Sequence, residues 1–255
     1  MMDTCRGIFR LAHLVLHLFK GLFLSYTKLH GTQSHDLNDD QQNIITSWLH
    51  RSAEIIGVNI QVQGKSATAP CFIVSNHISW LDILIIASVL PVSFLSKAEV
   101  RNWPIIGTLA AKAGTLFIQR GSKNGAAGAI ELMRVKLLAG HNVASFPEAK
   151  TTYGKSIHTF HPRLFAAAIE TNTLVQPIAI RYPHPNGINP IVPYVEEPNI
   201  IKHAFKIMCA KCTVAEVTLC NPIEAKGMER KELAQLAKIS ISNIIEKSST
   251  QANLT

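Results

Sequence analysis

The chain has 255 residues, 47% of them hydrophobic and only 16% charged, with a formal net charge of +8. That is material for one α/β domain with a short appendage, less charged than an average soluble domain, which points to contact with something apolar besides its own interior. A basic balance favours anionic partners, but zinc-finger spacing, an RNP-like aromatic strand and dense Lys/Arg runs are all missing, so no nucleic-acid partner is expected.

The most apolar stretch comes first, from Ile8 to Tyr26. Its polar residues Arg6, Arg10, His13, His17 and Lys20 follow steps of four, three, four and three. At about 100° per residue they fall on one narrow stripe of a helix, and the rest of the circumference is Leu, Val, Ile and Phe. An amphipathic helix lying in the interface of an anionic membrane fits this best. A transmembrane span competes, although Arg10 and Lys20 interrupt it, and so does a packed core helix. A signal peptide would need a small-residue cleavage site that Gly21–Tyr26 does not offer. Residues 1–30 are therefore expected to be a membrane-interface helix and residues 31–255 an α/β domain.

A polar linker, Gly31 to Asp40, precedes an amphipathic helix over 41–57. Strands are expected at 59–63, 71–75, 92–96, 115–120, 142–146, 174–182, 191–195 and 215–220. Helices are expected at 82–89, 105–113, 124–139, 162–171, 201–211 and 228–247. This alternation argues for an α/β fold, a mixed, mostly parallel sheet layered by helices. Pro183-His184-Pro185-Asn186-Gly187 reads as a turn that makes the later strands antiparallel.

Five cysteines, Cys5, Cys71, Cys209, Cys212 and Cys220, are an odd number without regular spacing and read as free thiols in a reducing compartment. Cys209 and Cys212, with Cys220 and His203, could supply four zinc ligands. Zinc ribbons usually carry two such Cys pairs, so the plainer reading is a helix running into a strand, and no metal is expected.

Ser75-Asn76-His77-Ile78-Ser79-Trp80-Leu81-Asp82 runs from the end of an apolar strand into a helix. Ligands commonly bind at such turns in α/β sheets. An imidazole acts as a general base when a carboxylate fixes its tautomer and leaves the distal nitrogen open, so His77 and Asp82 form a candidate catalytic pair. The competing reading is a capping box, Ser79-x-x-Asp82, with no chemistry. A GxSxG elbow and an HExxH motif are both missing. What remains suits a base that activates an acceptor hydroxyl directly. Downstream, Gly114–Arg120 is a strand ending in a cation, Phe146–Thr152 a strand entering a polar loop, and Val175–Ala179 a strand with an internal proline, which usually marks a sheet edge. Leu84, Ile85, Ile86, Leu95, Ile105 and Ile106 could line an acyl tunnel or pack as ordinary core.

Four segments in this order, NHISWLD (76–82), GTLFIQR (114–120), FPEAKTT (146–152) and VQPIA (175–179), resemble the blocks of the glycerolipid acyltransferase family, specifically the PlsC-type lysophosphatidate acyltransferases. The resemblance covers residues 70–182. It implies an O-acyltransferase of phospholipid biosynthesis that acylates the free hydroxyl of lysophosphatidate to give phosphatidate at the membrane, peripheral or monotopic on its cytoplasmic face, with a lyso-ornithine lipid as the alternative acceptor. It implies acyl-CoA or acyl-carrier protein as thioester donor and no cofactor. His77 would deprotonate the acceptor and Asp82 would orient it. Arg120 and Lys97 would hold the acceptor phosphate, Glu148 its polar head, and Gly114, Lys150, Thr151 and Pro177 would complete the binding site. The third block departs from the pattern: Ala149, Lys150 and Thr151 stand where the family has Gly, Thr and Arg. In this it is closer to the lyso-ornithine-lipid acyltransferases, whose acceptor carries an amino acid instead of a phosphate.

Overall fold

The computed structural model describes residues 2–29, 37–119, 125–196 and 199–252. Arg120 and most of the linker expected at Gly31–Asp40 lie outside these. In chain order the elements are α1 (Met2–Thr27), α2 (Asp39–Ile56), β1 (Val58–Gly64), β2 (Cys71–Ser75), α3 (Leu81–Val89), β3 (Ser93–Lys97), α4 (Ile106–Lys112), β4 (Leu116–Ile118), α5 (Gly125–Leu138), β5 (Val143–Ser145), α6 (Ala166–Thr171), β6 (Leu174–Arg181), β7 (Pro183–His184), β8 (Gly187–Ile188), α7 (Ile200–Cys209), β9 (Thr213–Leu219) and α8 (Arg230–Ala252).

A seven-stranded sheet among the described residues has the order β1-β9-β6-β2-β5-β3-β4. Neighbours pair in parallel except β6 and β9. This is the mixed, mostly parallel sheet expected, and β7 and β8 form the short hairpin around the expected turn. β2 shows why the sheet is buried on both faces. All five of its residues are buried. Cys71 and Ile73 pack to one side, with Ile56, Ile85, Ile86 and Ile207, while Phe72 and Val74 pack to the other, with Met133, Phe165 and Leu233. A continuous apolar run covered by helices on both sides is what a central parallel strand requires. Ile85 and Ile86, weighed above as tunnel lining, are ordinary core.

Three expectations are corrected. Residues 191–195 form no strand, because Pro190 and Pro193 contribute no backbone N–H to a ladder. Their segment instead crosses to the start of α3, where the Tyr194 N–H donates to the Ile78 carbonyl at 2.9 Å. Pro177 sits in β6 between β2 and β9, so it marks no sheet edge. Its missing N–H is tolerated where the β6–β9 ladder, which starts at Ile178, gives way to a separate Val175–Ile223 bridge.

The third correction concerns α1. Arg6, Arg10 and His17 of its basic stripe face the protein, while Lys20 is exposed. Arg6 donates to the Cys209 carbonyl, and Arg10 to the carbonyls of Met208, Ala210 and Lys211, so two guanidinium groups satisfy the open C-terminal end of α7. His17 stacks on Trp48 of α2, with ring centroids 4.8 Å apart. Gly7 and Gly21 let the helices approach, since a Cβ on Gly21 would come within 2.6 Å of the Trp48 ring. The outer side is apolar: Phe9, Leu16 and Phe23, at steps of seven, are 72%, 69% and 67% exposed. The helix is long and apolar enough to cross a membrane.

Candidate active site

The parallel strands β2, β5, β3 and β4 end along one edge of the sheet, and the expected functional segments follow from those ends. After β2, the Asn76 side chain pairs with β6: its amide donates to the Ile180 carbonyl and its carbonyl oxygen accepts the Ile180 N–H, at 3.0 and 2.9 Å. This fixes the chain where it leaves the sheet. His77 follows in the turn, and α3 starts at Leu81.

His77 Nδ1 lies 2.8 Å from Asp82 Oδ2. The same oxygen accepts the backbone N–H of Ile78 at 2.6 Å and of Ser79 at 2.9 Å, while Oδ1 accepts the Tyr182 hydroxyl at 2.6 Å. Asp82 is fully buried. A buried carboxylate that accepts from several donors is held in one orientation. An ionised carboxylate only accepts, so Nδ1 is the nitrogen that donates to it, and in the neutral ring Nε2 keeps its lone pair. Among the described residues Nε2 has no protein hydrogen-bond partner, and the His77 side chain is 17% exposed. Phe146 stacks on the ring with centroids 3.9 Å apart and planes within 10°. The imidazole is thus clamped on one face and tied at one nitrogen, with the other nitrogen available to a hydroxyl. The capping box does not form: Asp82 reaches back to the Ser79 N–H, but the buried Ser79 Oγ has no partner among the described residues.

Glu148 turns away from solvent. One of its oxygens accepts the His77 N–H and the other the His158 N–H, each at 2.8 Å, and the residue is 3% exposed. The expectation that it binds the acceptor's head is corrected on this ground, because both oxygens hold the protein's own backbone. Burial raises its pKa and the two N–H donors work against that rise. The loop carries further ties. The Thr152 N–H and hydroxyl both reach the His77 carbonyl, and the Thr151 hydroxyl donates to the Tyr194 carbonyl. Ala149, in the family's glycine position, has φ +60. A side chain costs about 1–2 kcal/mol in that left-handed conformation, which explains why glycine is the usual residue there.

The other expected binding residues divide. Lys97 ends β3 and Lys150 follows Glu148; both are exposed on the edge that carries His77. Gly114 has φ +80 and lies just past α4, where its N–H donates to the Ala111 carbonyl, so it terminates that helix. Pro177 is buried in the sheet and offers no surface to a substrate. Among the described residues no group of three or more His, Cys, Asp or Glu side chains is placed to hold a metal ion. Sequence reasoning missed Tyr182, which stands 100 residues from its partner. Its position just past the fourth block was the available signal.

A family model for acyltransferases matches residues 58–181. The chain is 37% identical over 210 residues to the lyso-ornithine lipid O-acyltransferase of Pseudomonas aeruginosa, covering 81% of this chain and 80% of that protein. It is 30% identical over 174 residues to the 1-acyl-sn-glycerol-3-phosphate acyltransferase of Neisseria gonorrhoeae, covering 68% of each. The crystal structure of the 1-acyl-sn-glycerophosphate acyltransferase PlsC from Thermotoga maritima shares its fold, with a TM-score of 0.63 at 18% identity over 93% of this chain and 97% of that one. The chain therefore belongs to the acyltransferase family. It is an O-acyltransferase, and His77, Asp82 and Glu148 all lie within the matched segment.

If Glu148 braces the His77 turn, Glu148→Gln places an amide N–H₂ against one of two backbone donors. Thermal unfolding is expected to show a loss of about 1–3 kcal/mol, and initial rates a lower kcat. Unchanged stability and kcat with a raised acceptor KM would instead return Glu148 to substrate contact.

Proposed function

We propose that this enzyme moves a fatty acyl group from a thioester, acyl-CoA or acyl-carrier protein, to the free hydroxyl of a lyso-ornithine lipid at a membrane surface. The observation that carries the acceptor is the 37% identity to a lyso-ornithine lipid O-acyltransferase along four-fifths of both chains. FPEAKTT supports it, because the arginine that would grip a phosphate with a planar fork is Thr151 here, and its hydroxyl is engaged with Tyr194. Lysophosphatidate is the second reading, favoured by the Neisseria relative and by the cations Lys97 and Lys150 on the site's edge.

The reaction follows from the imidazole. Nε2 takes the proton of the acceptor hydroxyl as its oxygen attacks the thioester carbonyl carbon. Asp82 stabilises the imidazolium so formed. The tetrahedral centre collapses, the C–S bond breaks, and the departing thiolate recovers the proton from His77. General-base help of this kind contributes about 10²–10⁴ in rate. The acceptor is lipid, and α1 supplies the means to reach it, with an apolar outer side turned away from the domain. The enzyme is accordingly assigned to the cytoplasmic face of the membrane, where the thioester donors are.

Purified protein given a radiolabelled acyl thioester and both acceptors side by side is expected to label the lyso-ornithine lipid preferentially. Preference for lysophosphatidate would overturn the acceptor assignment. His77→Ala is expected to abolish turnover without unfolding the chain, and near-normal activity in that variant would refute the mechanism. Replacing Phe9, Leu16 and Phe23 together by Glu leaves the buried side of α1 intact. The triple variant is expected to stay folded and to lose sedimentation with lipid vesicles, whereas full retention on vesicles would contradict the anchoring role.

A further inference from the structure

Tyr182 is 1% exposed, and its ring belongs to the same apolar cluster as Ile78 and Leu81, which flank the catalytic turn. It directly follows β6, and its carbonyl accepts the Asn189 N–H at 2.9 Å. Backbone and ring are thus both fixed, and the hydroxyl has one placement, 2.6 Å from Asp82 Oδ1.

The donors on Asp82 are shared unevenly. Oδ2 accepts from His77 Nδ1 and from the N–H groups of Ile78 and Ser79; the recorded partner of Oδ1 is Tyr182. The two backbone donors fix where Oδ2 lies but leave the carboxylate able to turn about its own axis. The hydroxyl on the opposite oxygen removes that freedom. Burial and the neighbouring carboxylate push the Tyr182 pKa well up, so the phenol keeps its proton and remains a donor. Being sealed from solvent, it has no route to substrate.

We propose that Tyr182 is a positioning residue for acyl transfer, holding the Asp82 carboxylate in the one orientation that presents Oδ2 to the His77 ring. It acts through Asp82 and touches neither donor nor acceptor. This rests on His77 and Asp82 being the base and its orienting partner.

Tyr182→Phe removes the hydroxyl and keeps the ring. By analogy with the loss of a hydrogen-bond partner behind a metal-ligating histidine, the expected result is a kcat lower by about 10–100-fold, with KM for thioester and lysolipid each within about twofold of wild type. In an Asp82→Asn background the same change is expected to add no further loss, because the group it acts through is gone. Unchanged kcat, or losses that multiply in the double variant, would overturn the proposal. Should the Phe variant fail to fold, proton NMR of the intact chain decides: a slowly exchanging, downfield tyrosine hydroxyl proton that moves in Asp82→Asn is expected, and its absence would overturn the proposal. Wild-type protein inactive on every lysolipid would instead sink the reading of the site itself, which separates the two failures.

Discussion

The Asp82 carboxylate is the constraint around which the site is organised. A carboxyl group with no exposure inside a core of isoleucine, leucine and phenylalanine is tolerable only when its oxygens are supplied with donors. Those donors come from the turn itself, from His77 and from the far end of β6. Satisfying them gives the turn one shape, and that shape leaves the second nitrogen of His77 without a partner among the described residues. The need to stabilise a buried carboxylate and the need to hold the proposed base are met by the same hydrogen bonds.

Two loops reinforce that shape. The loop after β5 places Glu148 on the His77 N–H and Thr152 on the His77 carbonyl, and the segment before α7 places Tyr194 on the Ile78 carbonyl. Thr151 then joins the two loops to each other. The third block is therefore built around its Glu and its final Thr as architecture. Between them Lys150 is exposed on the edge that carries His77.

Much of this was legible in the sequence wherever the determining interaction is local. The uninterrupted apolar β2, the turn that follows and the His77–Asp82 spacing lie within a dozen residues, and the structure joins them as read. Most of the failures share a cause, which is that the partner is remote. Glu148 reads as a polar loop carboxylate because its His77 donor is 71 residues away. The periodicity of α1 correctly gave a basic stripe, but not that Arg10 would find carbonyls at the end of α7, about 200 residues on. Residues 191–195 have the composition of a strand, and two prolines together with the hydrogen bond to the catalytic turn override it. Tyr182 had no local signal beyond its place after the fourth block.

The central claim is a tautomer: His77 protonated at Nδ1 by its bond to Asp82, and bare at Nε2. Nitrogen-15 NMR of histidine-labelled protein in lipid micelles, with the His77 signals identified by their loss in His77→Ala, measures this directly. The account predicts a protonated Nδ1 with a downfield proton and an unprotonated Nε2 at neutral pH. A proton on Nε2, or a ring exchanging freely between the two tautomers, would contradict it.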